Sequence, residues 1–315
     1  MRFAATPKKE DDAMHHDSFA STTRGLNRGT LPMGLWEKAK VLGVWNPTDI
    51  DFTQDAKDWQ TLDDREQEML MRLTSQFQAG EEAVTLDLLP LINVIANEGR
   101  IEEEMFLTSF LWEEAKHVDF FNRFLTEVTG HMGGLDAYMT PTYRTLFYET
   151  LPQTLSALRD DASPAAQVRA STLYNMVVEG MLAETGYHIY YAILDRRNIM
   201  PGQREGVTNI KRDESRHIAY GVFLISRLVA EDPSLWDVFQ SYMNELMPTA
   251  VQLISETFVL YGDDVPFGLK ESDFTDFAML QFQKRYARVE KARGRSLEQL
   301  YGSPDLFMEK EVVLA

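Results

Sequence analysis

Apolar residues recur three and four positions apart along most of this chain. From Thr61 onward they fall at Leu70, Leu73, Phe77, Val84 and Leu88, one stripe of an α-helix. Asp63 or Asp64 can cap its start, and Pro90 interrupts its end. The same pattern predicts a second helix over residues 101–128, closed by Gly130, a third over 142–158 and a fourth over 165–195. A fifth covers 202–230, with Pro201 at its start and Pro233 beyond its end. A sixth covers 235–260, with a kink expected at Pro248, and a seventh 274–292. No stretch alternates with a period of two between hairpin turns, so no sheet is expected. Long helices with mostly short connections predict an all-α antiparallel bundle.

Residues 1–29 are rich in Lys, Asp, Ser, Thr and Gly and read as a flexible N-terminal tail. The pair His15 and His16 falls there, as solvated residues. Residues 30–260 carry no Gly/Ser-rich or Pro-rich linker and read as one helical domain. Residues 261–315 add one helix and a charged tail, packed on the bundle or extending from it.

The chain has 315 residues, 44% hydrophobic and 25% charged, enough for one large core. It has no cysteine, which excludes disulfides, iron–sulfur clusters, cysteine-ligated zinc, thiolate haem and thiol nucleophiles. Forty-nine acids against 31 bases give a net charge of −18. Binding a duplex takes basic residues to displace counterions, so nucleic acid is not an expected partner. Residues 1–30 hold no apolar segment of signal-peptide length, and no apolar run approaches a membrane span. The expected location is the cytoplasm.

The informative residues are charges on apolar stripes. On the second predicted helix the stripe reads Leu107, Phe110, Glu114, His117, Phe121, Leu125. On the fifth it reads Val207, Ile210, Glu214, His217, Gly221, Leu224. Each has Glu and His three apart on one helix face, able to grip one ion. Glu81 takes an inward position on the first helix and Glu179 on the fourth. Each half of the chain therefore reads Glu, then Glu-x-x-His. Two such helix pairs packed face to face gather four carboxylates and two imidazoles. Four carboxylates cannot share a dry core alone, but two divalent cations neutralise them. Oxygen and imidazole donors without thiolate suit iron or manganese. This is the constellation of ferritin-like dimetal-carboxylate bundles. A solvated helix face could mimic one such stripe, but the coincidence would have to recur on four helices. An acid precedes each motif, Glu113 and Asp213, so Asp213 can orient His117 and Glu113 can orient His217.

Five segments carry a family resemblance. They are residues 45–59 (WNPTDIDFTQDAKDW), 79–87 (AGEEAVTLD), 113–117 (EEAKH), 174–180 (YNMVVEG) and 213–217 (DESRH). Over residues 30–260 the chain resembles the ribonucleotide reductase small-subunit superfamily, and within it the small-subunit-like ligand-binding oxidases. The resemblance implies a ferritin-like fold with one manganese held by Glu81, Glu114 and His117. It implies one iron held by Glu179, Glu214 and His217, two irons being the alternative cofactor. It further implies a long-chain fatty acid bound by its carboxylate, oxygen activation, and an ether link between the Val84 Cβ and the Tyr174 oxygen. Helical spacing by itself puts Val84 one turn from Glu81 and does not bring Tyr174 near. A homodimer is the expected assembly. The rival is a radical-storing reductase subunit, which usually has a tyrosine four residues after the first histidine. Here that residue is Phe121, and the C-terminal residues 311–315 (EVVLA) lack a docking aromatic, so no large subunit is expected.

Overall fold

The computed structural model describes residues 16–131, 133–301 and Phe307. His15 and residues 311–315 lie outside them. Among the described residues there is no strand. Among the described residues nine α-helices of eight or more residues frame the fold: α1 (Leu31–Leu42), α2 (Asp64–Asp87), α3 (Leu89–Asn97), α4 (Ile101–Phe124), α5 (Pro164–Ser171), α6 (Glu184–Arg197), α7 (Pro201–Glu231), α8 (Leu235–Val259) and α9 (Glu271–Ala292). The architecture is the all-α bundle expected from the apolar pattern, with the ferritin-like fold that the resemblance implies.

Local chemistry explains most of the boundaries. The Asp63 carboxylate accepts from the Arg65 and Glu66 N–H groups, and Glu66 returns a bond to the Asp63 N–H, a capping box for α2. Pro90 does more than interrupt: it sits in the first turn of α3, which follows α2 after Leu88 alone. After α4 the residues Leu125–Thr129 form a π-helical turn, stopped by Gly130 at φ 75°. Pro248 lies inside α8 without ending it.

Three expectations are corrected. The third predicted helix is four pieces: Pro141–Arg144, a π-helical Thr145–Thr150, Leu151–Ser156 and a 3₁₀ turn at Ala157–Arg159. The fourth is α5 and α6 joined by a π-helical segment, Thr172–Ala183. Thr172–Leu182 is buried on every side, so it has no polar face by which periodicity could separate the parts. Residues 16–29 are not a free tail. They contain a helical turn at Ala20–Thr23, and Arg24 pairs with Glu102 at 2.7 and 2.9 Å.

Two helix pairs make the centre. α2 packs along α4, and the Thr172–Ala183 segment packs along α7. α1 covers α4 from outside, while α8 and α9 cover the Thr172–Ala183 segment. The helix expected within 261–315 is thus part of the bundle. Arg285 of α9 is fully buried, and its Nε donates to the Gly180 carbonyl at 3.2 Å.

Candidate metal centre

α2 contributes Glu81, α4 Glu114 and His117, the π-helical segment Glu179, and α7 Glu214 and His217. All six residues are buried, none more than 5% exposed. They form two overlapping groups. Glu81, Glu114, His117 and Glu214 each bring a ligand atom within 4.8 Å of the others, and so do Glu114, Glu179, Glu214 and His217.

Glu114 and Glu214 belong to both groups. Glu114 Oε2 lies 3.5 Å from His117 Nδ1, and its Oε1 lies 3.1 Å from His217 Nδ1. Glu214 Oε1 and Oε2 lie 3.4 and 3.5 Å from the same two nitrogens. Glu81 faces only His117, at 3.4 Å, and Glu179 only His217, at 3.7 Å. The arrangement has two flanking carboxylates, two spanning ones, and one imidazole on each side.

The outward nitrogens are held by acids from the opposite half. His117 Nε2 lies 3.3 Å from Asp213 Oδ2, and His217 Nε2 lies 2.9 Å from Glu113 Oε2. An Nε2–H tautomer donates to these acids and leaves each Nδ1 lone pair facing the centre. Arg216, which the sequence reading missed, ties both acids together. Its Nη2 donates to Glu113 Oε1 at 2.6 Å and to Asp213 Oδ1 at 2.5 Å. Asp213 Oδ2 also accepts from Trp45 Nε1 at 2.7 Å and Lys116 Nζ at 3.1 Å. The Trp45 ring lies parallel to the His117 ring, 6.3 Å away. A Cβ at Gly43 would stand 2.1 Å from Glu113 Oε1, so only glycine leaves this acid its place. Asn175 is a further residue that sequence reasoning missed. Its Nδ2 donates to Glu179 Oε2 at 2.9 Å. Arg216 sits two positions after Glu214, and Asn175 one turn before Glu179. The turn before and after a ligand was the only signal available.

Burial raises the Glu81 and Glu179 carboxyls well above the usual range; His117 opposes this at Glu81. Burial also works on Glu114, but the two imidazoles facing it outweigh that and hold it below its ordinary value. Burial would lower both histidines, yet the surrounding carboxylates raise them well above 6.5. The cause is crowded negative charge, which bound cations offset directly and so leave the imidazoles neutral.

The fit to metal rests on orphaned atoms. Both Glu114 oxygens, Glu179 Oε1, Glu214 Oε2 and the Nδ1 atoms of His117 and His217 are buried with no hydrogen-bond partner. Buried polar atoms are rarely left so. Twenty buried side-chain atoms among the described residues are left so, and these six fall together in the two groups with a donor set of hard oxygen plus imidazole. The residues present fit two divalent first-row ions.

A largely apolar cleft reaches the centre. It encloses about 720 Å³, solvent at its mouth included. Phe77, Val84, Phe147, Val178, Leu182 and Leu253 are among its walls, and Glu81, Glu114, Glu179 and Glu214 border it. Val84 is 4% exposed and Tyr174 fully buried. The Tyr174 hydroxyl donates to the Val84 carbonyl at 3.2 Å, so the fold brings together a pair that spacing alone left apart. No helix among the described residues is long and apolar enough to cross a membrane.

The profile of the family described as "Ribonucleotide reductase, small chain" matches residues 34–288. Among solved structures, the chain is similar to an R2-like ligand-binding oxidase with aerobically reconstituted Mn/Fe cofactor. That match has 36% identity and a TM-score of 0.84, and covers 90% of this chain and 99% of the other. A tyrosine-to-phenylalanine variant of such an oxidase, also aerobically reconstituted, matches at 36% identity and a TM-score of 0.85, over 90% and 100% of the two chains. A valine-to-alanine variant reconstituted anaerobically matches at 37% identity and a TM-score of 0.83, over the same shares.

Proposed function

Because the chain belongs to the ribonucleotide reductase small-chain family, we propose that it is an oxygen-dependent Mn/Fe oxidase of the ligand-binding branch and not a radical-storing reductase subunit. The observation that carries this reading is the set of buried, unpartnered oxygen and imidazole atoms at the head of an apolar cleft.

Glu81, Glu114 and His117 would hold manganese, and Glu179, Glu214 and His217 would hold iron. Glu114 and Glu214 each present one oxygen to each histidine and would serve both ions. Bound manganese and iron supply the activation of dioxygen for two-electron oxidation. Asp213 and Glu113 fix the two imidazoles by their outer nitrogens. The apolar cleft walls would accept the chain of a long-chain fatty acid, with its carboxylate toward the centre.

Tyr174 and Val84 are the residues oxidised. The Tyr174 O–H and the Val84 Cβ–H bonds break, an oxygen–carbon bond forms, and two electrons and two protons go to dioxygen. The Tyr174 hydroxyl already lies against Val84. Valine Cβ carries its only tertiary side-chain hydrogen, the most easily removed. Phe121, four residues after His117, stacks on Phe77 at 5.1 Å and has no hydroxyl to store a radical. No ribonucleotide reduction is expected with any large subunit. The cytoplasmic homodimer stays part of the proposal, with sedimentation as the test of its assembly.

Aerobic loading with both metals tests the function. Two ions per chain, a mass loss of about two units and one joined peptide holding both residues are expected. Tyr174→Phe should bind metal and form no link. Separate, unmodified peptides from fully loaded protein would leave a dimetal protein with other chemistry.

A further inference from the structure

Behind His217 lies a chain of aromatic contacts that begins with one stacked pair and continues through edge-on and tilted pairs. The Phe110 ring lies parallel to the His217 ring with centroids 3.6 Å apart. Phe110 meets Phe106 at 6.0 Å, and Phe106 meets Tyr220 at 5.3 Å. Phe110 also contacts Tyr174, at 5.9 Å. Tyr220 is fully buried, one turn of α7 beyond His217. It is no ordinary packed tyrosine, because its hydroxyl donates to the buried Glu103 Oε2 at 3.0 Å. Glu103 Oε1 is paired with the buried Arg227 Nε at 3.3 Å. From Tyr220 the contacts continue to Phe223 at 6.4 Å and on to Tyr301 at 5.8 Å. Tyr301 is half-buried and borders a polar cleft with Arg24, Arg100 and Glu103.

Within these contacts Tyr220 is the first oxidisable side chain past the phenylalanines, and the one with a carboxylate to take its proton. We propose that Tyr220 is a one-electron donor to the metal centre, a second redox-active tyrosine that discharges oxidising equivalents the Val84–Tyr174 pair cannot absorb. This rests on the oxidase reading above. In the step, the phenolic O–H of Tyr220 breaks. One electron passes across Phe106 and Phe110 to the dioxygen-oxidised centre and reduces it by one unit. The proton moves along the existing hydrogen bond to Glu103 Oε2. The products are a neutral Tyr220 radical and a protonated Glu103. Burial raises the Glu103 carboxyl, against Arg227, which makes it a better proton acceptor than an exposed glutamate.

The need for such a donor follows from the link itself. Once the oxygen–carbon bond exists, Tyr174 has no O–H left to give. A later round of dioxygen without a bound oxidisable ligand must draw its electrons elsewhere. The aromatic chain then supplies them from Tyr220, and the half-buried Tyr301 gives a soluble reductant a point of access.

The test uses full-length protein loaded with manganese and iron, exposed to dioxygen and freeze-quenched for electron paramagnetic resonance. Tyr174→Phe removes the competing donor. This variant should show a tyrosyl signal that narrows when the protein carries ring-deuterated tyrosine. Tyr174→Phe/Tyr220→Phe should lose that signal while keeping two metals per chain. Glu103→Gln in the Tyr174→Phe background should cut the radical yield, since an amide oxygen cannot take the proton. Merely structural damage at Tyr220 would not produce an isotope-sensitive radical in the parent variant. An undiminished tyrosyl signal in the double variant overturns the inference. So does no tyrosyl signal in Tyr174→Phe protein that consumes dioxygen and oxidises its metals. Protein that binds two metals yet consumes no dioxygen overturns the oxidase reading itself, and this inference with it.

Discussion

The two halves of the metal centre repeat one motif and differ in how firmly it is held. In the first half, Glu81 sits on a regular α-helix, borders the cleft and faces only the His117 imidazole. In the second, Glu179 sits on a π-helical segment, and Asn175 Nδ2 pins one of its oxygens at 2.9 Å. The acids behind the histidines differ in the opposite sense. Asp213, behind His117, gathers donors from Trp45, Lys116, His117 and Arg216. Glu113, behind His217, takes His217 and Arg216. The first half thus joins a carboxylate without an amide partner to an outer acid with four donors. The second pins its carboxylate and gives its outer acid two donors, although His217 lies nearer its acid than His117 does, at 2.9 against 3.3 Å. Both flanking carboxylates border the cleft, and of the two only Glu179 has an amide holding it.

The strongest way to break this comparison is to remove what the halves share. Glu114→Ala should strip both ions, because each Glu114 oxygen faces a different histidine. Glu81→Ala should strip one and spare the second. Metal analysis after dialysis decides it, and equal losses in the two variants would refute the spanning role.

A smaller effect sharpens the contrast behind the histidines. Losing an outer-shell partner costs roughly 10–100-fold in metal affinity. Asp213→Asn should fall toward the upper end of that range, since four donors lose their charge partner. Glu113→Gln should fall toward the lower end. Competition against a chelator measures both, and the reverse order would mean that the donor count does not set the outer-shell contribution.

Gly221 probes the second half's pinned carboxylate. A Cβ there would stand 2.2 Å from the Asn175 Cβ. Gly221→Ala should force Asn175 off Glu179 and cost about 1–3 kcal/mol from overpacking. Denaturant unfolding of the metal-free protein reads the cost. A neutral result would show that Asn175 can move freely and does not fix Glu179.

The smallest expected effect is at Asp87, at the end of the Glu81 helix. Burial raises its carboxyl from 3.8 to about 6, against the pull of Arg159. A carboxyl raised on folding binds more protons in the native state. Its ionisation therefore lowers stability as pH rises from 3.8 through about 6. A carboxylate at a helix C-terminus also opposes the helix dipole. Asp87→Asn should raise Tm slightly at pH 7 and leave it unchanged below pH 3.8. A uniform shift at both pH values would assign the effect to packing.

Glu81, Glu114, His117, Glu179, Glu214 and His217 were legible as a set because a helical face is a local property. A charge recurring on an apolar stripe at spacing three or four must enter the core, whatever that core contains. The crossed pairing of Asp213 with His117 and Glu113 with His217 was legible too, but only through the two-fold repeat of the motif. The exclusion of thiolate chemistry needed nothing beyond the absence of cysteine.

The rest was decided by packing between distant segments. Tyr174 reaches Val84 across 90 positions, and Arg216 reaches Glu113 across 103. Trp45 reaches Asp213 across 168. Periodicity fixes which face of a helix turns inward but not which faces meet, how far each slides along its neighbour, or what stands behind a ligand. The π-helical segment under Tyr174 and Glu179 is of the same kind. It is buried on every side, so no one-sided stripe marks where its i→i+5 bonds begin and end, and only the surrounding helices select it. The cleft likewise is a void between elements, and a sequence shows side chains, not the space that they fail to fill.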